Sequence, residues 1–74
     1  AELLYAQPIE GGYQLVDSRP EIRMLLMESS GGKDSYVAVV DGASAGTVYR
    51  EGDAWIHEYY QDGKRIRTPL NIKF

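Results

Sequence analysis

The sequence predicts an all-β domain: a small antiparallel meander curled into a barrel or sandwich of six or seven short strands. Three observations lead there. Runs of β-branched and aromatic residues recur about every ten residues with Gly, Asp or Pro between them, the spacing of an up-and-down sheet. The stretch AWIHEYYQDGKRIRTPLNIKF, residues 54–74, reads as two strands about a tight turn at Asp62-Gly63. SYVAVVD, residues 35–41, holds a Tyr and three Val with Ala38 as its one helix former. The same residues leave one alternative, an α+β fold with a single helix at about residues 19–29 packed on the sheet.

Taken in order, LLYA at 3–6 and YQLV at 13–16 read as two short strands, with the Pro and paired Gly of QPIEGG between them as a loop. Pro8 has no N–H to give a ladder, so it belongs at a strand edge or end. Residues 17–32, DSRPEIRMLLMESSGG, are ambiguous. Ser18 and Glu21 have capping-box spacing, Pro20 suits a first helical turn and Gly31 suits a helix stop. Against the helix, the apolar run at 22–27 is short and bounded by turn residues, which favours a buried strand. DGASAG at 41–46 reads as a small-residue loop, TVYR at 47–50 as a strand and EGD at 51–53 as a turn.

The last pair of strands carries its own register. A two-residue turn needs positive φ at its centre, and Asp-Gly accepts this at low cost. With Asp62 and Gly63 there, Tyr60 faces Arg65, Glu58 faces Arg67, His57 faces Thr68 and Trp55 faces Leu70. Alternation puts Trp55, His57, Tyr59, Ile66, Thr68, Leu70, Ile72 and Phe74 on one face, toward the core. The other face carries Ile56, Glu58, Tyr60, Arg65, Arg67, Pro69, Asn71 and Lys73. Slipping by one residue would turn the aromatic face to water, so pattern and turn chemistry select the same register.

Seventy-four residues make a single domain, 1–74, with a small core. There is no cysteine, so neither disulfides nor thiolate metal sites can reinforce it. Residues 1–34 hold six acids against three bases, and the rest balance, giving a net charge of −3. That sign disfavours nucleic acid, whose binding rests on phosphate neutralisation. Yet residues 64–74 hold four bases and no acid. No apolar run approaches the ~20 residues of a helical membrane span, so no membrane partner is expected. The chain opens on Ala, which fits Met removal, leader cleavage or excision from a longer chain, and the compartment stays open.

Two short stretches resemble known families. SGGKDS at 30–35 is similar to the pyrophosphate-binding loop of the N-type ATP pyrophosphatases. In that family the loop follows a buried strand, here residues 24–28, and opens a helix whose N-terminal amides hold phosphate. Residues 36–40 depart from the pattern: they are β-branched and reach Gly42 at once, so a loop between two strands is expected instead. WIHEYYQDGKRIRTPL resembles the strand pair of integrase arm-binding domains, in which an aromatic strand meets a basic one at a Gly turn. The helix that follows the sheet in that family has no counterpart before Phe74.

His57, the one histidine, is expected as a core or interface residue, hydrogen-bonded to Thr68. No cofactor, metal set or catalytic constellation is expected, and the acids are scattered without the close pairing of acid–base catalysis. The candidate binding residues are Tyr60, Arg65, Arg67 and Lys73, an aromatic and three bases on one sheet face. The expected function is a non-enzymatic protein-interaction module, such as an inhibitor, regulatory subunit or self-associating domain. Nucleic-acid binding through the basic face at 64–73 is the alternative.

Overall fold

The computed structural model describes residues 2–30 and 32–74. Ala1 and Gly31, the latter read above as a helix stop, lie outside the described residues. The chain forms seven strands: β1 (Leu3–Ile9), β2 (Gly12–Val16), β3 (Ile22–Glu28), β4 (Ser35–Val40), β5 (Ala43–Glu51), β6 (Ala54–Gln61) and β7 (Lys64–Lys73). Neighbours in sequence pair antiparallel, and β7 returns to β1 to close a barrel. Strands of a meander alternate in direction, so with an odd number the first and last run the same way. The closing pair is accordingly parallel, and it is short: Leu3 with Asn71, Leu4 with Ile72, Tyr5 with Lys73.

The turns explain why the strands follow one another so closely. Asp41 and Gly42 have φ of 52° and 79°, and Asp62 and Gly63 have 52° and 77°, the two left-handed centres of a mirror-image turn. Val40 therefore opposes Ala43, and Gln61 opposes Lys64. The β6–β7 register is the one the Asp62-Gly63 turn predicts, from Trp55 with Leu70 to Gln61 with Lys64. Asp41-Gly42 uses the same chemistry, so the expected loop at 41–46 shrinks to two residues and β5 begins at Ala43. The expected loop at 7–12 shrinks likewise to Glu10-Gly11, with Ile9 opposite Gly12.

The helix alternative at 19–29 is overturned: residues 22–28 are strand β3, between β2 and β4. The loop before it is built on Asp17 rather than on a capping box at Ser18. The Asp17 Oδ1 accepts from the Arg19 and Glu21 amides at 2.9 and 2.8 Å, and the Asp17 amide donates to the Glu21 carbonyl. These two backbone bonds, at Glu21 and then Arg19, lower the carboxyl pKa to about 2, although Asp17 is almost fully buried.

Inside, Leu15, Leu26, Ala38 and Val48 are fully buried, and Leu4 and Met24 complete the packed centre. A barrel of this size is filled by side chains rather than hollow. One end is closed by four aromatic rings from β2, β4, β6 and the end of the chain. Tyr13 meets Tyr36 at 6.0 Å and Phe74 at 5.1 Å, both edge-on. Trp55 lies 6.0 Å from Tyr36 and 5.0 Å from Phe74, so the contacts form a ring. The inward assignment of Trp55, Leu70 and Ile72 holds, whereas Phe74 touches the rings of Tyr13 and Trp55 but stays 51% exposed, and Thr68 is exposed as well. Ile56 is different: it faces outward between Tyr49 and Pro69, yet is only 8% exposed.

Candidate interaction surface

At the end of the barrel away from the aromatic ring, β6 and β7 run past both of their neighbours. On one side, β5 departs. Its last pair with β6 in this direction is Thr47 with Glu58, and residues 59–61 have no partner on β5. The cause is a bulge: two residues of β5, Ala45 and Gly46, stand where β4 has only Ala38. Gly46 has φ of 90°, and a Cβ on it would stand 2.2 Å from the Glu58 carbonyl oxygen, so only glycine fits. The opening is a cleft of about 620 Å³, lined by Val40, Ser44, Gly46, His57, Tyr59 and Tyr60 among others.

On the other side, β1 pairs with β7 at residues 71–73 of β7, the described residues at the start of β1 reaching no further along it. In an antiparallel pair, alternate residues exchange both backbone bonds with the partner and those between point theirs away. A two-residue turn makes Gln61 and Lys64 a bonded pair, so Ile66 and Thr68 also bond to β6. Arg65, Arg67 and Pro69 then turn their backbone groups away from β6. Pro69 brings no N–H there, which ends the row of donors just before the closing pairs begin.

The outer face of this two-stranded ribbon holds a polar network. The Tyr49 hydroxyl donates to Glu58 Oε1 at 2.8 Å and accepts from Arg67 Nε at 3.1 Å. Arg67 Nη2 donates to Glu51 Oε2 at 2.6 Å. The expected cross-strand pair of Glu58 and Arg67 is present at 3.7 Å, and Arg65 Nε stands equally far from the same carboxylate oxygen. Hydrogen bonds to Glu51, then to Tyr49, raise the Arg67 pKa further and hold its charge in place.

The four candidate binding residues are therefore not equivalent. Tyr60 and Arg65 oppose one another near the turn; Tyr60 is 70% exposed and the Arg65 side chain 56%. Arg67 is committed to Glu51 and Tyr49. Lys73 lies opposite Tyr5 in the closing pairs, about 26 Å along the strand from Arg65 at the usual rise. The structure brings Tyr60 and Arg65 together, leaves Arg67 behind them and separates Lys73.

His57 faces Thr68 in register, as expected, but its hydrogen bond goes elsewhere: Nε2 donates to the Ala45 carbonyl at 2.6 Å. That bond crosses the cleft just beyond the last pair of β5 and β6. The Tyr59 ring packs on the imidazole at 4.7 Å. Sequence reasoning missed the cleft because the bulge at Ala45-Gly46 was read as loop, although a Gly inside a strand is a bulge signal.

The SGGKDS stretch lies between β3 and β4. Asp34 has φ of 61° and its carbonyl accepts from the Arg50 amide, while the Ser29 hydroxyl donates to the Ser35 carbonyl. Strand β4 follows directly, so the helix N-terminus that would hold phosphate is replaced by a ladder. Among the described residues, no three His, Asp or Glu side chains gather as a metal site requires. No protein-family model, no curated protein and no solved structure matches the chain.

Proposed function

We propose that this chain is a non-enzymatic protein-interaction module whose partner surface is the projecting end of the β6–β7 ribbon. The observation that carries this reading is that β6 runs on past β5, whose bulge leaves residues 59–61 of β6 as strand edge beside the cleft. Open edges are unstable company in solution and are the surface to which partners add a strand. The exposed Tyr60 beside Arg65 supplies what such an edge lacks: a large amphipathic side chain and a charge that give specificity to main-chain pairing. The nucleic-acid alternative draws less support, since Arg67 is bound to Glu51 and Lys73 is remote.

The test is selection of extended peptides from a random displayed library against the immobilised domain, followed by amide-shift mapping of those selected. Shifts concentrated at residues 57–68 support the reading. Binders that map to β2 and β3 instead, or a selection that enriches nothing, refute it. A titration with single-stranded oligonucleotide that shifts residues 64–67 and fades steeply with salt would favour the alternative.

A further inference from the structure

We infer that the cleft between β5 and β6 takes a Trp or Tyr side chain from an extended partner segment: an uncharged ring with one hydrogen-bond donor. This rests on the free edge of β6 being the partner surface and adds the chemistry of the residue that anchors there. The strands part beyond Thr47 and Glu58, and the cleft of about 620 Å³ between them is ample for one aromatic side chain. Tyr60 turns its N–H and C=O to the side that β5 has left. A segment laid against them sets the residue opposite Tyr60 on the outer face. Its neighbour, opposite Tyr59, then falls on the inner face and over the cleft.

The lining excludes a charged occupant. Its one carboxylate, on Glu58, accepts from the Tyr49 hydroxyl at 2.8 Å and lies 3.7 Å from both Arg65 and Arg67, all on the outer face. No other Asp, Glu, Lys or Arg lines the cleft. A charge brought in would give up water without meeting a counter-charge, which is costly. What the cleft offers instead is Val40, Ala45 and the Tyr59 ring, tilted against the imidazole of His57 at 4.7 Å. Gly46 keeps the wall between them low, since a Cβ there would strike the Glu58 carbonyl oxygen.

His57 adds the polar requirement. Its Nε2 bonds to the Ala45 carbonyl, which can only accept, so the proton is on Nε2 and the neutral ring presents Nδ1 as an acceptor. Nδ1 has no hydrogen bond among the described residues, and none of their buried side-chain nitrogens or oxygens lacks a partner. On a half-buried ring that lines the cleft, Nδ1 therefore meets solvent. A Phe or Leu side chain seated there would strip that water and return no hydrogen bond. An indole N–H or a phenol O–H replaces it, and both rings bury a large apolar area besides.

The experiment titrates the 15N-labelled protein with acetyl-Ser-Thr-Trp-Thr-Ser-amide and with its Tyr, Phe and Leu counterparts. The Trp and Tyr peptides are expected to shift the amides of Ala45, Gly46 and residues 57–61, to slow exchange at Tyr60 and to move the His57 Nδ1 resonance. The Tyr peptide should bind about tenfold more tightly than the Phe peptide, the pair that differs by the donor alone. His57→Phe should erase that difference, and Tyr60→Pro, which leaves the bonds to β7 in place, should weaken all four peptides while the fold persists. If the Phe peptide binds wild type as tightly as the Tyr peptide, or Nδ1 does not respond, the donor requirement is wrong and the interaction-module reading stands. If N-acetyltryptophanamide alone matches the Trp peptide, the cleft holds a small molecule rather than a segment, and the inference is overturned. If no peptide shifts residues 57–61 at millimolar concentration it is overturned too, and the library selection decides the broader reading. A wild-type dimer in light scattering with Tyr60 already protected also overturns it.

Discussion

Pro8 and Pro69 stand on either side of the short parallel seam that closes the barrel, and each turns its ring nitrogen away from the antiparallel neighbour it pairs with. Pro8 lies opposite Tyr13, next to the bonded pair of Ile9 and Gly12, so its nitrogen points away from β2. Pro69 lies opposite Ile56 and points away from β6. Between them the seam runs for three pairs only. Each strand thus keeps its ladder on one side and is denied a donor on the other, which limits how far β1 and β7 can zip together or recruit a further strand.

Replacing Pro69 tests this directly. Pro69→Val restores an N–H on the flank away from β6 without removing a bond to β6, so the unfolding free energy should change by less than about 1 kcal/mol. Self-association in light scattering should rise with protein concentration above that of the wild type. An unchanged mass across the range would mean that Pro69 does not guard the edge.

Two glycines should respond differently to a side chain. Gly63 has positive φ but open space around it, so Gly63→Val should cost upwards of about 1 kcal/mol, from backbone strain alone. At Gly46 the added Cβ also meets the Glu58 carbonyl oxygen, so Gly46→Ala should cost about 3 kcal/mol or more and disturb the amides of Thr47 and Glu58. Equal losses in denaturant unfolding would contradict the bulge geometry.

The aromatic ring predicts coupling between residues distant in sequence. Trp55 and Phe74 are 5.0 Å apart, so a double-mutant cycle of Trp55→Leu and Phe74→Leu should give a coupling of about 1 kcal/mol. Strict additivity would mean that Phe74 does not close the barrel end. Leu26→Ala, at the fully buried centre, should cost about 3 kcal/mol, a large part of the stability of so small a domain.

Acid stability should depend on Asp17. Its folded pKa of about 2 lies below the ordinary 3.8, so the carboxylate contributes stability that is fully present above that ordinary value and is lost as pH falls through about 2. Asp17→Asn keeps an acceptor for the Arg19 and Glu21 amides but cannot titrate. Unfolding midpoints measured from pH 5 to pH 2 should therefore fall less steeply in the variant. Parallel curves would mean that Asp17 is not the group responsible.

Much of the fold was legible because local chemistry and pattern agree in it. Asp62-Gly63 and the alternation from Trp55 to Phe74 specify one register, and the β-branched run at 35–40 admits only a strand. Asp41-Gly42 was equally readable, but the small residues after it hid a strand whose sense lies in a bulge against β6. Residues 22–28 needed tertiary context, since a short apolar run pairs or coils according to its neighbours. The candidate surface was half legible. Tyr60 and Arg65 are neighbours by register, whereas the capture of Arg67 by Glu51 depends on how β5 lies beside β6. The free end of β6 depends on the bulge by which β5 leaves it, which pairing with β4 and not the local run of residues reveals.

Native-state amide hydrogen exchange tests the central claim, that β6 presents a free edge where it runs past β5, with the least intervention. Tyr59 and Gln61 bond to β7 and should exchange slowly, whereas Tyr60 turns its N–H to the side that β5 has left and should exchange near the rate of an unstructured chain. That alternation is the predicted result. Comparable protection at all three amides in the free protein would contradict it.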